Sequence, residues 1–146
     1  MKTLSTKRLV LRDWCESDIG SSVHNEDAIR YLLKTKNNYS VVLKENNEII
    51  GTIGLNEDAD GQVNVRNVGV RVLPQYQNKG YMTEALRAVI DNAHNIADAL
   101  SWFCKVEDKR SQHIAAKFGF KYVKTFAKDK YDLPSDFYRS FRQQVF

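Results

Sequence analysis

The chain has 146 residues, the size of one ordinary domain, so a single domain over 1–146 is expected. Apolar residues make up 42% and charged residues 27%, a balance that excludes a disordered chain. No window approaches the ~20 apolar residues of a membrane span, and Met1–Lys7 has no apolar leader, so a cytoplasmic protein without a membrane partner is expected.

The net charge of +4 suits an anionic ligand without demanding one. Cys15 and Cys104 are too few for a disulfide framework; both sit in apolar, strand-like segments and read as buried thiols. The histidines are scattered, and no Cys/His spacing suggests a metal site, so none is expected.

Arg8–Trp14 alternates polar and apolar residues as a first strand does. Ser17–Asp18 then offers a helix cap, followed by the broken helical periodicity of Ile19, Val23, Ala28, Ile29, Leu32 and Leu33. Tyr39–Lys44 and Ile49–Leu55 flank a polar turn and predict a hairpin. A longer strand is predicted over Gln62–Leu73, ended by Pro74. Met82, Ala85, Leu86, Val89, Ile90 and Ala93 then form one helical stripe. Ala99–Val106 reads as a strand carrying Trp102 and Phe103, and Gln112–Phe118 as a short helix stopped by Gly119. Phe120–Ala127 and Asp136–Phe141 are closing strands joined by a loop with Asp132, Leu133 and Pro134. This order predicts an α/β chain built on a mixed sheet with helices on its faces.

Chemistry concentrates at Val68–Ile90, where a strand, a proline, a polar loop and a glycine lead into a helix. Such a loop aims unpaired N–H groups one way, and the helix dipole adds partial positive charge, which suits phosphate. Gly80 permits close backbone approach, and Lys79 and Arg87 add charge. An ordinary strand-to-helix connection explains the same residues equally well. The loop matches neither the G-x-G-x-x-G dinucleotide pattern nor a Walker loop.

The segment Val68–Leu86 resembles the acetyl-CoA motif of the GNAT superfamily of N-acetyltransferases, Q/R-x-x-G-x-G/A, with Gln77 and Gly80 at the first two fixed positions. Met82 departs from the third, where a small residue is usual. Thr6–Arg12 is similar to the opening of the branch that acetylates ribosomal-protein N-termini, and Ser111 with Lys117–Phe120 is similar to its late helix and turn. The resemblance implies a mostly antiparallel central sheet of about seven strands, with helices on both faces, splayed at the central strands to admit acetyl-CoA. It implies that backbone groups of Val70 and Val72 pair with the pantetheine arm. It also implies that N–H groups of Gln77, Asn78, Lys79, Gly80, Tyr81 and Met82 hold the pyrophosphate.

Met82 either crowds the phosphates or turns into the apolar stripe, and its periodic place favours the second. Asp108 stands where the family often has Asn; as a carboxylate it only accepts, so its contact with the cofactor is limited to N–H or O–H groups. Ser111 matches the serine that related enzymes place near the cofactor sulfur, and a helix N-cap is its plain alternative. The family's tyrosine acid would fall at Ala115 and its strand glutamate near Asn67, so neither is present. The base is unassigned among Glu57, Asp58, Glu107 and His113. Glu84 reads best as a first-turn helix charge.

The implied activity is transfer of an acetyl group from acetyl-CoA to a primary amine, a peptide N-terminus or a small amine. The alternative is an acetyl-CoA-binding sensor or adaptor without turnover. Lys121, Lys124, Lys128 and Lys130 among Tyr122, Tyr131 and Tyr138 read as a guarded strand edge rather than a nucleic-acid surface. That exposed C-terminal strand leaves a homodimer open.

Overall fold

The computed structural model describes residues 2–57, 61, 63–126 and 135–141, with side chains to Val123. Two compact units share the chain: residues 1–56 with 69–92, and residues 57–68 with 93–146.

The first unit opens with β1 (Leu4–Ser5), a two-residue strand too short to read from sequence, antiparallel to β2 (Leu9–Asp13). Leu9 and Leu11 are fully buried, as the alternation requires. No continuous helix follows Ser17. A single 3-10 turn spans Glu16–Asp18, and Gly20 takes a left-handed φ of 100° that a helix cannot continue. Asp18 does not lead a helix outward. It is buried, accepts both Arg12 guanidinium nitrogens at 2.9 Å and takes the Cys15 N–H at 2.8 Å. Cys15 lies in this turn beyond β2 and is exposed, which corrects the buried-thiol expectation; Cys104 is buried as expected.

The helix itself, α1 (Glu26–Lys34), is later and shorter. Asn25 caps it by accepting the Ala28 N–H at 2.9 Å, and Glu26, Asp27 and Lys34 all suit its dipole. Ile29 is fully buried against Trp14, Val23 and Leu73. β3 (Asn38–Leu43) and β4 (Ile49–Glu57) form the expected hairpin, with Asn47 left-handed in its turn. In this unit the strands run β1, β2, β3, β4 and the last part of β5 (Val65–Val72). β4 and β5 approach so closely that a Cβ on Gly51 would sit 2.4 Å from the Arg71 carbonyl oxygen, so the position needs glycine.

β5 starts later than expected. Asn64 is left-handed, and its carbonyl takes the Asp98 N–H, so the backbone is still turning there. Pro74–Tyr76 makes a 3-10 turn, and α2 (Tyr81–Asn92) follows. Ala85, Leu86, Val89 and Ala93 are buried and Met82 and Ile90 half-buried, which is the predicted stripe.

In the second unit the first part of β5 pairs in parallel with β6 (Ala99–Lys105), from Val65 opposite Ala99 to Val68 opposite Trp102. β6 continues antiparallel to β8 (Ser135–Phe141), which pairs with β7 (Lys121–Phe126). Trp102 is buried and Phe103 half-buried. α3 (Lys109–Lys117) begins three residues earlier than expected, and Gly119 ends it with φ 82°. The proposed loop at Asp132–Pro134, the lysines Lys128 and Lys130, Tyr131 and Asp58 lie outside the described residues.

Candidate active site

The turn between β5 and α2 is built by its own residues. Pro74 ends the ladder, and the Gln77 side chain donates from Nε2 to the Val72 carbonyl at 3.0 Å, tying the loop back to the strand. Asn78 and Gly80 then both turn left-handed, at φ 63° and 82°. The first intrahelical bond runs from the Glu84 N–H to the Gly80 carbonyl at 3.1 Å. Gly80 therefore stands at the N-cap without a side chain, and the N–H groups of Tyr81, Met82 and Thr83 precede the first helical bond. Left-handed residues just before a helix start make a backbone concavity suited to an anion.

Arg8 braces this turn. Its Nη1 donates to the Lys79 carbonyl at 3.0 Å, its guanidinium lies 4.3 Å from the Tyr81 ring centroid, and a Cβ at Gly80 would be 3.3 Å from Nη2. A trans peptide points its C=O and N–H in opposite directions. Because Arg8 grips the Lys79 oxygen, the Gly80 N–H is aimed away from Arg8. Glu84 fixes Arg8 in turn, accepting its Nε at 2.7 Å, its backbone N–H at 2.8 Å and the Thr6 hydroxyl at 2.5 Å. Burial pushes the Glu84 carboxyl up, but the hydrogen bonds from Thr6 and Arg8 and the Arg8 charge outweigh it and hold the group below its usual range. Glu84 is thus more than a first-turn helix charge: it joins α2 to the β1–β2 turn.

In the second unit, Asp108 caps α3 by accepting the Ser111 N–H at 3.0 Å. The cap is therefore Asp108, not Ser111. The Ser111 hydroxyl instead accepts the Trp102 indole N–H at 2.9 Å, which leaves its own proton available to donate. Asn67 donates to the Ser101 hydroxyl at 3.1 Å, and Ala115 is fully buried, so neither position offers an acid or base. Glu57, Glu107 and His113 are exposed. Val70 is half-buried and Val72 buried. Among the described residues no three His, Cys, Asp or Glu side chains gather as a metal site, and no helix is long and apolar enough to cross a membrane.

The brace by Thr6 and Arg8 escaped sequence reasoning about site residues. The one available signal was the Thr6–Arg12 opening segment, whose role in the fold a sequence pattern does not state.

A model of the acetyltransferase (GNAT) domain matches residues 23–121, well over half of the chain. The chain belongs to the GNAT acetyltransferase family. GNAT enzymes with solved structures share its fold at low identity. A GNAT-family acetyltransferase from Bacillus anthracis superposes with a TM-score of 0.77 at 19% identity, covering 96% of this chain and 98% of that one. The acetyltransferase from Salmonella typhimurium that modifies the N-terminal serine of ribosomal protein L7/L12 gives 0.76 at 14%, over 97% and 100%. The microcin C7 self-immunity acetyltransferase MccE, solved with acetyl-CoA and AMP, gives 0.73 at 15%, over 93% of each chain. No curated protein matches the chain by sequence. The GNAT assignment accords with the β5–turn–α2 geometry, because relatives of this fold bind acetyl-CoA or CoA.

Proposed function

We propose that this GNAT protein transfers the acetyl group of acetyl-CoA to a primary amine. The observation that carries the reading is the left-handed turn at Asn78 and Gly80 before α2, with no side chain at the N-cap and Arg8 holding the Lys79 carbonyl. Bound acetyl-CoA supplies an activated thioester carbonyl. N–H groups from Lys79 to Met82 hold its diphosphate, and the α2 dipole favours that charge, whereas the Gln77 N–H is spent on the Pro74 carbonyl at 3.2 Å. Met82 is half-buried, in keeping with its place in the helix stripe.

Backbone groups of Val70 and Val72 pair with the pantetheine arm. The Val72 carbonyl already accepts from Gln77, so its remaining lone pair is the one on offer. We assign Ser111 to the leaving sulfur, since its hydroxyl proton is uncommitted while Trp102 fixes the oxygen. Asp108 is committed to the α3 cap, so it serves the cofactor less well than the cap itself. No described carboxylate is set up as a general base, and an amine arriving neutral meets that need.

The test is a thermal-shift titration with acetyl-CoA, using adenosine diphosphate as the phosphate-only control. Ligand at 100 times its dissociation constant should stabilise the fold by about 2.7 kcal/mol. Thiol release from acetyl-CoA in the presence of amines then separates enzyme from sensor. Binding without turnover on any amine would replace the transferase reading with the sensor reading, and absence of binding at millimolar ligand would remove both.

A further inference from the structure

In the first unit Arg8, Arg12 and Arg30 each meet a carboxylate within 3.0 Å. Arg71 meets none among the described residues, although it is exposed on β5 between Val70 and Val72. The Leu73 N–H still donates to the Ile50 carbonyl at 2.9 Å, so the pleat of β5 continues past Val72. Arg71 and Leu73 therefore leave the strand on one face, and Val72 on the other. Leu73 packs with Trp14, Val23 and Ile29, so the Arg71 face is the one that α1 covers. His24 reaches the same place from the other side of this cluster. It follows Val23, precedes the Asn25 cap of α1, and sets its ring 5.6 Å from that of Trp14. Burial first, and the Arg71 charge second, hold the His24 imidazole below its usual range. At neutral pH His24 is thus an uncharged ring with one N–H to give beside that guanidinium. Glu26 is turned along α1 onto Arg30 at 3.0 Å, and neither it nor the exposed Asp27 pairs with Arg71.

We propose that Arg71 and His24 select an acceptor whose amine is accompanied by a carboxylate, with the Arg71 guanidinium taking the carboxylate through paired N–H groups and the His24 ring adding a third donor. The inference rests on the transferase reading above and names its substrate class: an amine that carries one negative charge nearby. Under that reading Arg71 stands between the two residues whose backbone pairs with the pantetheine arm, so a group held there lies beside the cofactor. The planar fork of an arginine matches a carboxylate with two parallel hydrogen bonds. One guanidinium and one uncharged imidazole balance one unit of charge, whereas a phosphate dianion would be left half-compensated. The same carboxylate comes from a free amino acid or from an acidic side chain next to a peptide N-terminus. The pair decides which amine is admitted and handles no reacting atom, so both residues are specificity determinants.

Two matched pairs of amines probe the two sources: methionine against methioninamide, and alanyl-aspartyl-alanine amide against alanyl-asparaginyl-alanine amide. Each is titrated into the cofactor-free protein with the Arg71 Nε–H and His24 ring resonances as the NMR readout, and each is assayed for acetyl transfer. In at least one pair the carboxylate member should shift both resonances and bind about tenfold more tightly than its amide. Arg71→Gln should remove that preference, in binding and in kcat/KM, with the acetyl-CoA dissociation constant unchanged. Reading the preference as a ratio between native protein and variant cancels differences in amine basicity. Arg71→Lys keeps the charge without the fork and should restore part of it. Arg71 is exposed, so neither variant should move the melting temperature. His24→Phe keeps a ring on Trp14 and loses the N–H, so the preference should fall about threefold. Equal response to the two members of each pair, or a preference that survives Arg71→Gln, would overturn the proposal. So would a stronger shift of Arg71 by inorganic phosphate than by the carboxylates. Failure of acetyl-CoA to bind would count against the transferase reading alone, because the cofactor-free titrations still decide whether Arg71 and His24 hold a carboxylate.

Discussion

Helices α2 and α3 begin in opposite ways. α3 carries its own cap: the Asp108 carboxylate accepts the Ser111 N–H, and Gln112 bonds back to the Asp108 carbonyl at 3.1 Å through its backbone. α2 has glycine at the equivalent place, and its support comes from behind, through Arg8 on the Lys79 carbonyl. A capped start spends its donors on the protein. A start without a side chain, braced through its carbonyls, keeps its donors for a ligand. The difference separates a helix that is merely stable from one that can hold an anion.

The sharpest way to break the comparison is to put the α3 carboxylate at the start of α2. Gly80→Asp does so at a left-handed residue, which should cost about 1 kcal/mol of apo stability; Asp108 caps α3 from a φ of −82°, so the new side chain does not reproduce that cap, and its Cβ lies 3.3 Å from Arg8 Nη2. A like charge added beside the diphosphate costs several kcal/mol, so acetyl-CoA affinity should fall at least ~100-fold. Calorimetric titration with a parallel melt checks both. Retained affinity would mean that the turn is not the phosphate site.

Removing the brace asks a finer question. Arg8→Gln frees the Lys79 carbonyl and unties Glu84. Hydrogen bonds to charged groups are worth ~1.5–3 kcal/mol, so acetyl-CoA and adenosine diphosphate should each bind about tenfold more weakly. S-acetylpantetheine, which lacks the diphosphate, should bind as it does to the native protein. Equal losses for all three ligands would reduce Arg8 to a general stabiliser.

These residues also show what a sequence can display. The α2 stripe, Pro74 and Gly80 were legible because helical period and turn chemistry are local. The Arg8–Glu84 brace was not, since its partners stand 76 residues apart and look like ordinary surface charges. The α3 cap was ambiguous for another reason: Asp108 and Ser111 are both good N-caps, and only the backbone angles choose between them. The irregular run between Glu16 and Asn25 defeated periodicity because its apolar residues, Ile19 and Val23, pack with Trp14 without forming a helix.

On the α3 side, two substitutions separate capping from chemistry. Ser111→Ala leaves the Trp102 indole N–H without its acceptor, at a cost of about 1–3 kcal/mol, and should also lower kcat with little change in the acetyl-CoA dissociation constant. Asp108→Ala should cost about 1 kcal/mol, the usual worth of a cap, and leave kcat nearly unchanged. Urea melts and steady-state rates on both variants give the contrast. A kcat loss shared equally by the two would assign it to the helix start as a whole, not to the Ser111 hydroxyl.

The smallest effect is a pH dependence that belongs to the α2 brace. Glu84 titrates below its ordinary value of 4.5 in the fold, so the folded state binds its proton less readily than the unfolded chain. Its contribution is therefore fully present above about pH 4.5 and is lost as pH falls through the lower folded value. Asp18 behaves the same way below 3.8, where hydrogen bonds from Arg12 and Cys15 overcome the upward push of burial. Glu84→Gln removes the first contribution and leaves the second. The stability gap between native protein and Glu84→Gln should be below about 1 kcal/mol, constant from pH 5 to 7 and shrinking toward pH 3 in denaturant titrations. A gap that stays constant down to pH 3 would mean that Glu84 takes up its proton equally in the folded and unfolded chain, so that its charge adds nothing to the brace. The brace would then depend on shape rather than charge.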